Sequence, residues 1–267
     1  MLNLHPFTSQ NALAAPPLPK IGERWALFVD IDGTLVELVA HPNMVRINAS
    51  TLALLDSLRN LLGGALAMLS GRNLLDIDRL LSPLFLPAGA LHGLERRDYA
   101  GNLTVANPPA EISAQVRRAC QLEADLLDQV WVEEKSGIAF AMHFRAVPHA
   151  GEMVHRCAKN IAANSSGWYV VQPGNGVAEL KPKGSDKGSA LRALLETSPF
   201  QGRVPVVLGD DLTDETAFAM VEKLGGLAVV VGDRRPTCAH YGLGTPKDVI
   251  DWLIRLLDHL QKTELAQ

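Results

Sequence analysis

Short apolar runs that break off at a polar residue recur along the chain. Trp25-Ala-Leu-Phe-Val29 stops at Asp30, Ala65-Leu-Ala-Met-Leu69 at Ser70-Gly71-Arg72, Val204-Pro-Val-Val-Leu208 at Gly209-Asp210-Asp211, and Leu227-Ala-Val-Val-Val231 at Gly232-Asp233. A fifth run, Phe85 to Leu91, ends at His92-Gly93. A run with no polar alternation is what a strand needs when both of its faces are covered, as in a parallel sheet between helical layers. Between the runs, apolar residues return at helical spacing over 50–62, 74–81, 187–196, 214–224 and 246–262. Strand alternating with helix predicts a doubly wound parallel α/β sheet, a Rossmannoid core.

The middle of the chain departs from this rhythm. After a hairpin around Tyr99-Ala-Gly101-Asn, a helical pattern over 111–127 precedes two β-type runs, 130–135 and 138–145, which flank Ser136-Gly137. A second helical pattern over 148–164 precedes two more runs, 168–171 and 177–181, around Pro173-Gly-Asn-Gly176. Helix plus hairpin, twice over, predicts an inserted α+β cap domain at 106–178, with the core assembled from 21–105 and 179–267. Residues 1–20 contain Ala14-Ala15-Pro16-Pro17-Leu18-Pro19, which cannot sustain a helix or a central strand and reads as a flexible or extended leader.

Composition narrows the function classes. The 267 residues are 47% hydrophobic and 20% charged, an ordinary globular balance with room for a sizeable core. Lys and Arg total 25 against 29 Asp and Glu, so the net charge of −4 gives no footprint for nucleic acid or an anionic membrane, and nothing indicates an obligate protein partner. No apolar stretch approaches membrane-spanning length, and the N-terminus carries no secretory pattern. Cys120, Cys157 and Cys238 are too few and too scattered for a disulfide framework or a cysteine zinc site, which fits a reducing, cytoplasmic setting.

Ligands of an open parallel sheet bind at the carboxyl ends of its strands, so the residues that end the apolar runs converge there. Here they are largely acidic: Asp30 and Asp32 after the first strand, Asp210 and Asp211 after a later one, and Asp214 in the next helical turn. That many carboxylates at one low-dielectric edge cannot all ionise without a cation. The donors are hard oxygens, which points to Mg²⁺ rather than Zn²⁺. In Asp30-Ile-Asp32-Gly33-Thr34, two acids can face one substrate group while Gly33 and Thr34 offer backbone N–H donors to an anion.

Asp30-x-Asp32-Gly33-Thr34, Ser70-Gly71-Arg72, Lys187-Gly188 and Gly209-Asp210-Asp211-x-x-Asp214, in this order and each in its strand-end or helix-start context, resemble the four motifs of the haloacid dehalogenase superfamily of phosphohydrolases. Gly93-x-Glu95-Arg96-Arg97, Glu134-Lys135-x-Gly137 leading to His143-x-Arg145, and Glu179-x-Lys181-Pro182-x-Gly184 are similar to bacterial-type trehalose-6-phosphate phosphatases. The resemblance implies a small phosphorylated sugar as substrate, Asp30 as the nucleophile that becomes an aspartyl phosphate, and Asp32 as general acid and then base. It implies that Mg²⁺ is held by Asp30, the Asp32 carbonyl and Asp210, with Asp211 and Asp214 nearby. Gly33, Thr34, Ser70, Gly71 and Lys187 are then the phosphate-binding set.

Residues two apart on a strand share a face, so Ile138, Phe140, Met142 and Phe144 form an apolar side opposite His143 and Arg145. Glu133 and Lys135 share a face by the same parity, as do Glu179 and Lys181. The resemblance implies that this polar face takes the sugar, through Lys135, His143, Arg145, Glu179 and Lys181, with Glu95 and Arg96 contributing from a core loop. Two rival readings remain at this stage. One is a related phosphatase for another sugar phosphate such as sucrose phosphate; the other is a receiver-type signalling phosphoacceptor, which needs neither an inserted domain nor an acid two residues past its nucleophile.

Overall fold

In a computed structural model of the chain, residues 13–39, 44–106, 108–174 and 176–264 are described. They form two compact units, one through Thr104 and again from Asp186, the other Val105–Ser185. In chain order the elements are β1 (Trp25–Val29), α1 (Ala49–Leu61), β2 (Leu66–Leu69), α2 (Leu74–Leu81), β3 (Ala88–Ala90), β4 (Glu95–Arg97) and β5 (Leu103–Val105). The second unit follows with α3 (Ala110–Asp125), β6 (Trp131–Lys135), β7 (Ala139–His143), α4 (Gly151–Ala163), β8 (Tyr169–Gly174) and β9 (Val177–Pro182). The first unit resumes with α5 (Lys187–Leu195), β10 (Val204–Gly209), α6 (Glu215–Lys223), β11 (Leu227–Val231), β12 (Tyr241–Leu243) and α7 (Pro246–Glu264).

The first unit is the expected doubly wound sheet, in the order β12-β11-β10-β1-β2-β3-β4-β5. Every pairing from β12 to β3 is parallel, and β4 joins β3 antiparallel. Residues of β1 are at most 2% exposed, which explains why the run is apolar without alternation. The helices start where the chain supplies a cap. Asn48 accepts from the Thr51 N–H at 2.8 Å, Asn73 from Asp76 at 2.8 Å, and Asp186 from Ser189 at 2.7 Å. Gly188, in the first turn of α5, lies so close to α6 that a β-carbon there would sit 2.4 Å from the Thr216 carbonyl oxygen. Strand β12 had no signal in the hydrophobic pattern, because three residues with a central glycine carry no period.

Residues 14–19 are not a loose leader. The Ala14 carbonyl accepts from Gly242 N–H at 3.0 Å, the Pro16 carbonyl from the indole of buried Trp252 at 3.1 Å, and the Pro19 carbonyl lies 2.9 Å from His259 Nε2. Prolines remove donors but keep acceptors, so an extended proline-rich segment can be tied down through its carbonyls alone. Residues 1–12 of the expected leader lie outside the described residues.

The second unit is a four-stranded antiparallel sheet in the order β6-β7-β9-β8, with α3 and α4 packed on one face. Phe140, Met142, Ala178 and Leu180 from the strands meet Val116, Cys120, Val154 and Ala158 from the helices. The Tyr169 hydroxyl donates to the Ile138 carbonyl at 2.8 Å and lies 3.1 Å from the Ser113 hydroxyl, so its polar end is satisfied within this core. The boundary expected after residue 178 falls inside β9, which pairs with β7 as far as Leu180 and with β8 as far as Pro182, and the unit runs on to Ser185. Among the described residues no helix is long and apolar enough to cross a membrane.

Deleting residues 1–19 leaves the Trp252 indole N–H without its acceptor. The loss expected in urea unfolding is about 1–3 kcal/mol; an unchanged midpoint would show that the proline-rich segment adds nothing to the fold.

Candidate active site

The register of the central strands assembles the site. Val29 of β1 is level with Leu208 of β10, and Asp30 N–H donates to the Leu208 carbonyl at 3.0 Å, so the residues leaving both strands emerge side by side. Asp30, from β1, thereby meets Asp210, from β10, and Asp214, from the turn into α6. One carboxylate oxygen from each of the three lies within 4.8 Å of the others. Lys187 opens α5, and its Nζ is 3.1 Å from Asp30 Oδ2 and 2.7 Å from Asp214 Oδ1, with both of these carboxylates and the lysine almost wholly buried.

The charges here do not balance. Burial pushes the Asp30 carboxyl well above the ordinary carboxylate range; Lys187 pulls it back, while Asp214 and Asp210 push it further up. Asp210 is pushed up to about 6, first by burial and then by Asp214. Burial works against the Lys187 charge, yet Asp214 and Asp30 outweigh it and the ammonium is held more firmly than usual. One ammonium faces three carboxylates, so a second cation is needed for all three to ionise together. Oxygen-only donors at this spacing fit a hard divalent cation. All three could offer an oxygen to it, Asp30 and Asp210 more readily, because Asp214 has both oxygens engaged: Oδ1 with Lys187 and Oδ2 with the Asp211 N–H at 3.0 Å.

Close approach at Gly33 helps place Asp210. Gly33 has φ of +78°, and a β-carbon there would lie 2.1 Å from Asp210 Oδ2. The Thr34 hydroxyl donates to Asp210 Oδ1 at 3.3 Å. Arg234 donates from Nε to the Asp210 carbonyl at 3.1 Å and also pairs with buried Glu215, which accepts the Cys238 N–H at 2.7 Å. Nothing in the sequence marks Arg234 as a support of Asp210, since it follows a strand two positions away from β1 in the sheet.

Several expected roles turn out differently. The N–H groups of Gly33 and Thr34, expected to face an anion, are spent on their own turn, donating to the carbonyls of Val36 at 2.8 Å and Ile31 at 3.4 Å. Asp211, expected near the metal, is exposed, and its carboxylate caps the following turn by accepting from Leu212 N–H at 2.6 Å. Asp32 is gripped by Arg72, whose Nε and terminal nitrogen donate at 2.6 Å each to the two carboxylate oxygens. The fork geometry gives Arg72 of the Ser70-Gly71-Arg72 motif a role, holding the Asp32 carboxylate. Ser70 is 1% exposed, and its Oγ accepts from Arg72 N–H at 3.3 Å, which leaves its own hydrogen to donate. The structure keeps Gly71 beside Ser70, packed against the ring of His92.

On the second unit, the residues with sugar-binding expectations share the sheet face opposite α3 and α4. Trp131, His143 and Val177 form one cross-strand row; Glu133, Ala141, Glu179 and Gln172 form the next. Lys135 opposite Ala139, and Lys181 opposite Val170, continue the same register. Lys135 Nζ donates to Glu179 Oε2 at 3.0 Å, and His143 Nε2 is 2.9 Å from Glu133 Oε2. Arg145 lies beyond the end of β7, exposed, in the turn. Glu95 of the first unit accepts from the Leu74 N–H at 3.2 Å and so serves the start of α2, while half-buried Arg96 is its neighbour in β4.

An aspartate-bearing loop after the central strand, an acidic loop after its neighbour and a lysine opening the helix that precedes that neighbour define the haloacid dehalogenase-like class. The chain belongs to the trehalose-phosphatase family, whose model matches residues 28–243. It is 37% identical over 247 residues to the trehalose-6-phosphate phosphatase of Escherichia coli K12, covering 91% of each chain. It is also 37% identical over 223 residues to a probable trehalose-phosphate phosphatase of Sinorhizobium fredii, covering 82% of each. In fold it resembles the C-terminal domain of a Candida albicans trehalose-6-phosphate phosphatase, with a TM-score of 0.74 at 21% identity, covering 94% of this chain and 99% of that one.

Gly33→Ala drives a methyl group into the Asp210 carboxylate. Binding of Mn²⁺, followed by electron paramagnetic resonance on the folded variant, is expected to weaken at least about tenfold, or 1.4 kcal/mol; unchanged affinity would remove Asp210 from the metal site.

Proposed function

We propose that the chain hydrolyses trehalose 6-phosphate to trehalose and inorganic phosphate, in a Mg²⁺-dependent reaction that passes through an aspartyl phosphate on Asp30. The observation that carries this reading is the cluster of buried Asp30, Lys187 and Asp214 with half-buried Asp210, and Asp32 two residues beyond Asp30. The names of the relatives supply the substrate.

Asp30 Oδ attacks phosphorus as the bond from phosphorus to the sugar oxygen breaks. Asp32 gives its proton to the departing oxygen, which leaves as a neutral hydroxyl group. Asp32, now a carboxylate, takes a proton from the water that attacks the phosphorus of the acyl phosphate; the Asp30–phosphorus bond breaks, and both aspartates return to their starting forms. Because both Asp32 oxygens rest on Arg72, this work requires the carboxylate to turn away from the guanidinium. The Lys187 ammonium and the Ser70 hydroxyl donate to the equatorial phosphoryl oxygens, where charge gathers in the transition state. Asp30 and Asp210 would hold Mg²⁺, which when bound would supply neutralisation of the charge on the nucleophile and the phosphoryl oxygens. Sugar recognition falls to Glu133, Lys135, His143, Glu179 and Lys181, whose carboxylates and cations accept from and donate to hydroxyl groups.

A panel of trehalose 6-phosphate, sucrose 6-phosphate and glucose 6-phosphate, assayed with Mg²⁺ and after chelation, tests the reading. Trehalose 6-phosphate is expected to lead by kcat/KM by about a hundredfold, with activity lost on chelation. Asp30→Asn is expected to lower turnover at least about a thousandfold while staying folded. A different best substrate overturns the substrate assignment, and substantial turnover by the variant overturns the nucleophile.

A further inference from the structure

Trp131 sits on the polar face of the second sheet, in the row of His143 and Val177. It is 55% exposed, unusual for so large an apolar surface. One side of its ring is stacked on His143, with ring centres 4.1 Å apart and planes 14° apart. His143 is in turn held through its Nε2, which lies 2.9 Å from Glu133 Oε2. The indole is therefore a rigid plate, backed by one ring and presenting its other face outward.

The surroundings say what this plate suits. Polar groups lie next to it on the same face: Glu133 is two residues along β6, and Glu179 is diagonal to His143 across β7 and β9. Glu179 is 7% exposed; its Oε2 takes Lys135, while its buried Oε1 has no hydrogen-bond partner among the described residues. A ligand for this face has hydroxyl hydrogens for carboxylate oxygens and a flat apolar side for the indole. A pyranose ring has both, since its ring faces carry C–H bonds whose positive ends meet the negative face of an aromatic ring.

Direction along the face follows from charge. Lys135 and Lys181 occupy one end, and Trp131 lies four residues from Lys135, about 13 Å along the strand. The sugar that carries the phosphate belongs at the cationic end. One ring cannot reach from the lysines to the indole, whereas two linked rings can. Resting on the proposed substrate, we infer that Trp131 is a specificity-determining residue: its indole, braced by His143, stacks on the second, unphosphorylated glucose and makes the enzyme prefer a disaccharide phosphate.

Steady-state kinetics of Trp131→Ala and Trp131→Phe test this on three substrates. For trehalose 6-phosphate, KM is expected to rise about five- to tenfold in the alanine variant and to stay near wild type in the phenylalanine variant. Values of kcat, and kcat/KM for glucose 6-phosphate and p-nitrophenyl phosphate, are expected to hold. Trehalose alone should quench the fluorescence of the wild-type protein saturably and leave the alanine variant unchanged. An unaltered KM for trehalose 6-phosphate in the alanine variant, or equal losses on all three substrates, overturns the inference. Wild type showing no preference for trehalose 6-phosphate over glucose 6-phosphate would instead overturn the substrate assignment on which it rests.

Discussion

The ammonium of Lys187, buried between Asp30 and Asp214, is the interaction on which the rest of the site depends. Removing one partner from such a pair leaves an uncompensated charge in a low dielectric, at about 3–5 kcal/mol. The fold meets this demand with its most rigid parts: Asp30 at the end of the central strand β1, Asp214 in the turn into α6, and Lys187 at the capped start of α5. Gly188 lets α5 and α6 approach closely enough for the three groups to touch. Electrostatic frustration remains, since Asp210 adds a third carboxylate and its own pKa is pushed up to about 6. A site in that condition is poised for cations and for the oxygens of a phosphoryl group that a cation brings with it.

Around this cluster the remaining polar groups hold one another in place. Asp210 is set by Thr34, by the absence of a side chain at Gly33 and by Arg234, which draws on Glu215. Asp32 stands slightly apart, more exposed than Asp30 and clasped by Arg72. The two aspartates of one short motif therefore live in different environments, which suits them to different work. Asp30 is buried against Lys187 while Asp32 lies nearer solvent, which suits them to the proposed roles of nucleophile and proton carrier.

Much of this was legible in the residues. Unbroken apolar runs locate β1, β10 and β11 because full burial on both faces leaves no other pattern, and Asp30 and Asp210, from the ends of β1 and β10, meet at the sheet edge with Asp214. Strand parity likewise sorts Glu133, Lys135, Glu179 and Lys181 onto one face. What escaped depended on local backbone choices. Asp211 follows Asp210 directly, and only the turn geometry decides that it caps Leu212. The Gly33 and Thr34 N–H groups look available until the tight turn back to Ile31 and Val36 is formed. The proline-rich segment reads as loose because a pattern of donors cannot reveal a strap made of acceptors. Arg72 and Arg234 are long side chains whose partners lie in distant parts of the chain, and spacing says nothing about them. Trp131 had no partner in any motif, and its role follows only from its stacking and its row on the sheet.

The proposed reaction turns on Asp30 forming a bond to phosphorus. Rapid acid quenching of the Mg²⁺-loaded enzyme during turnover of trehalose 6-phosphate, followed by digestion and mass spectrometry, reads this directly. The expected result is a single phosphoryl group on the peptide that contains Asp30, released by hydroxylamine as an acyl phosphate is. Turnover with no phosphoryl group on that peptide at any quench time, or with one fixed to another residue, would contradict it.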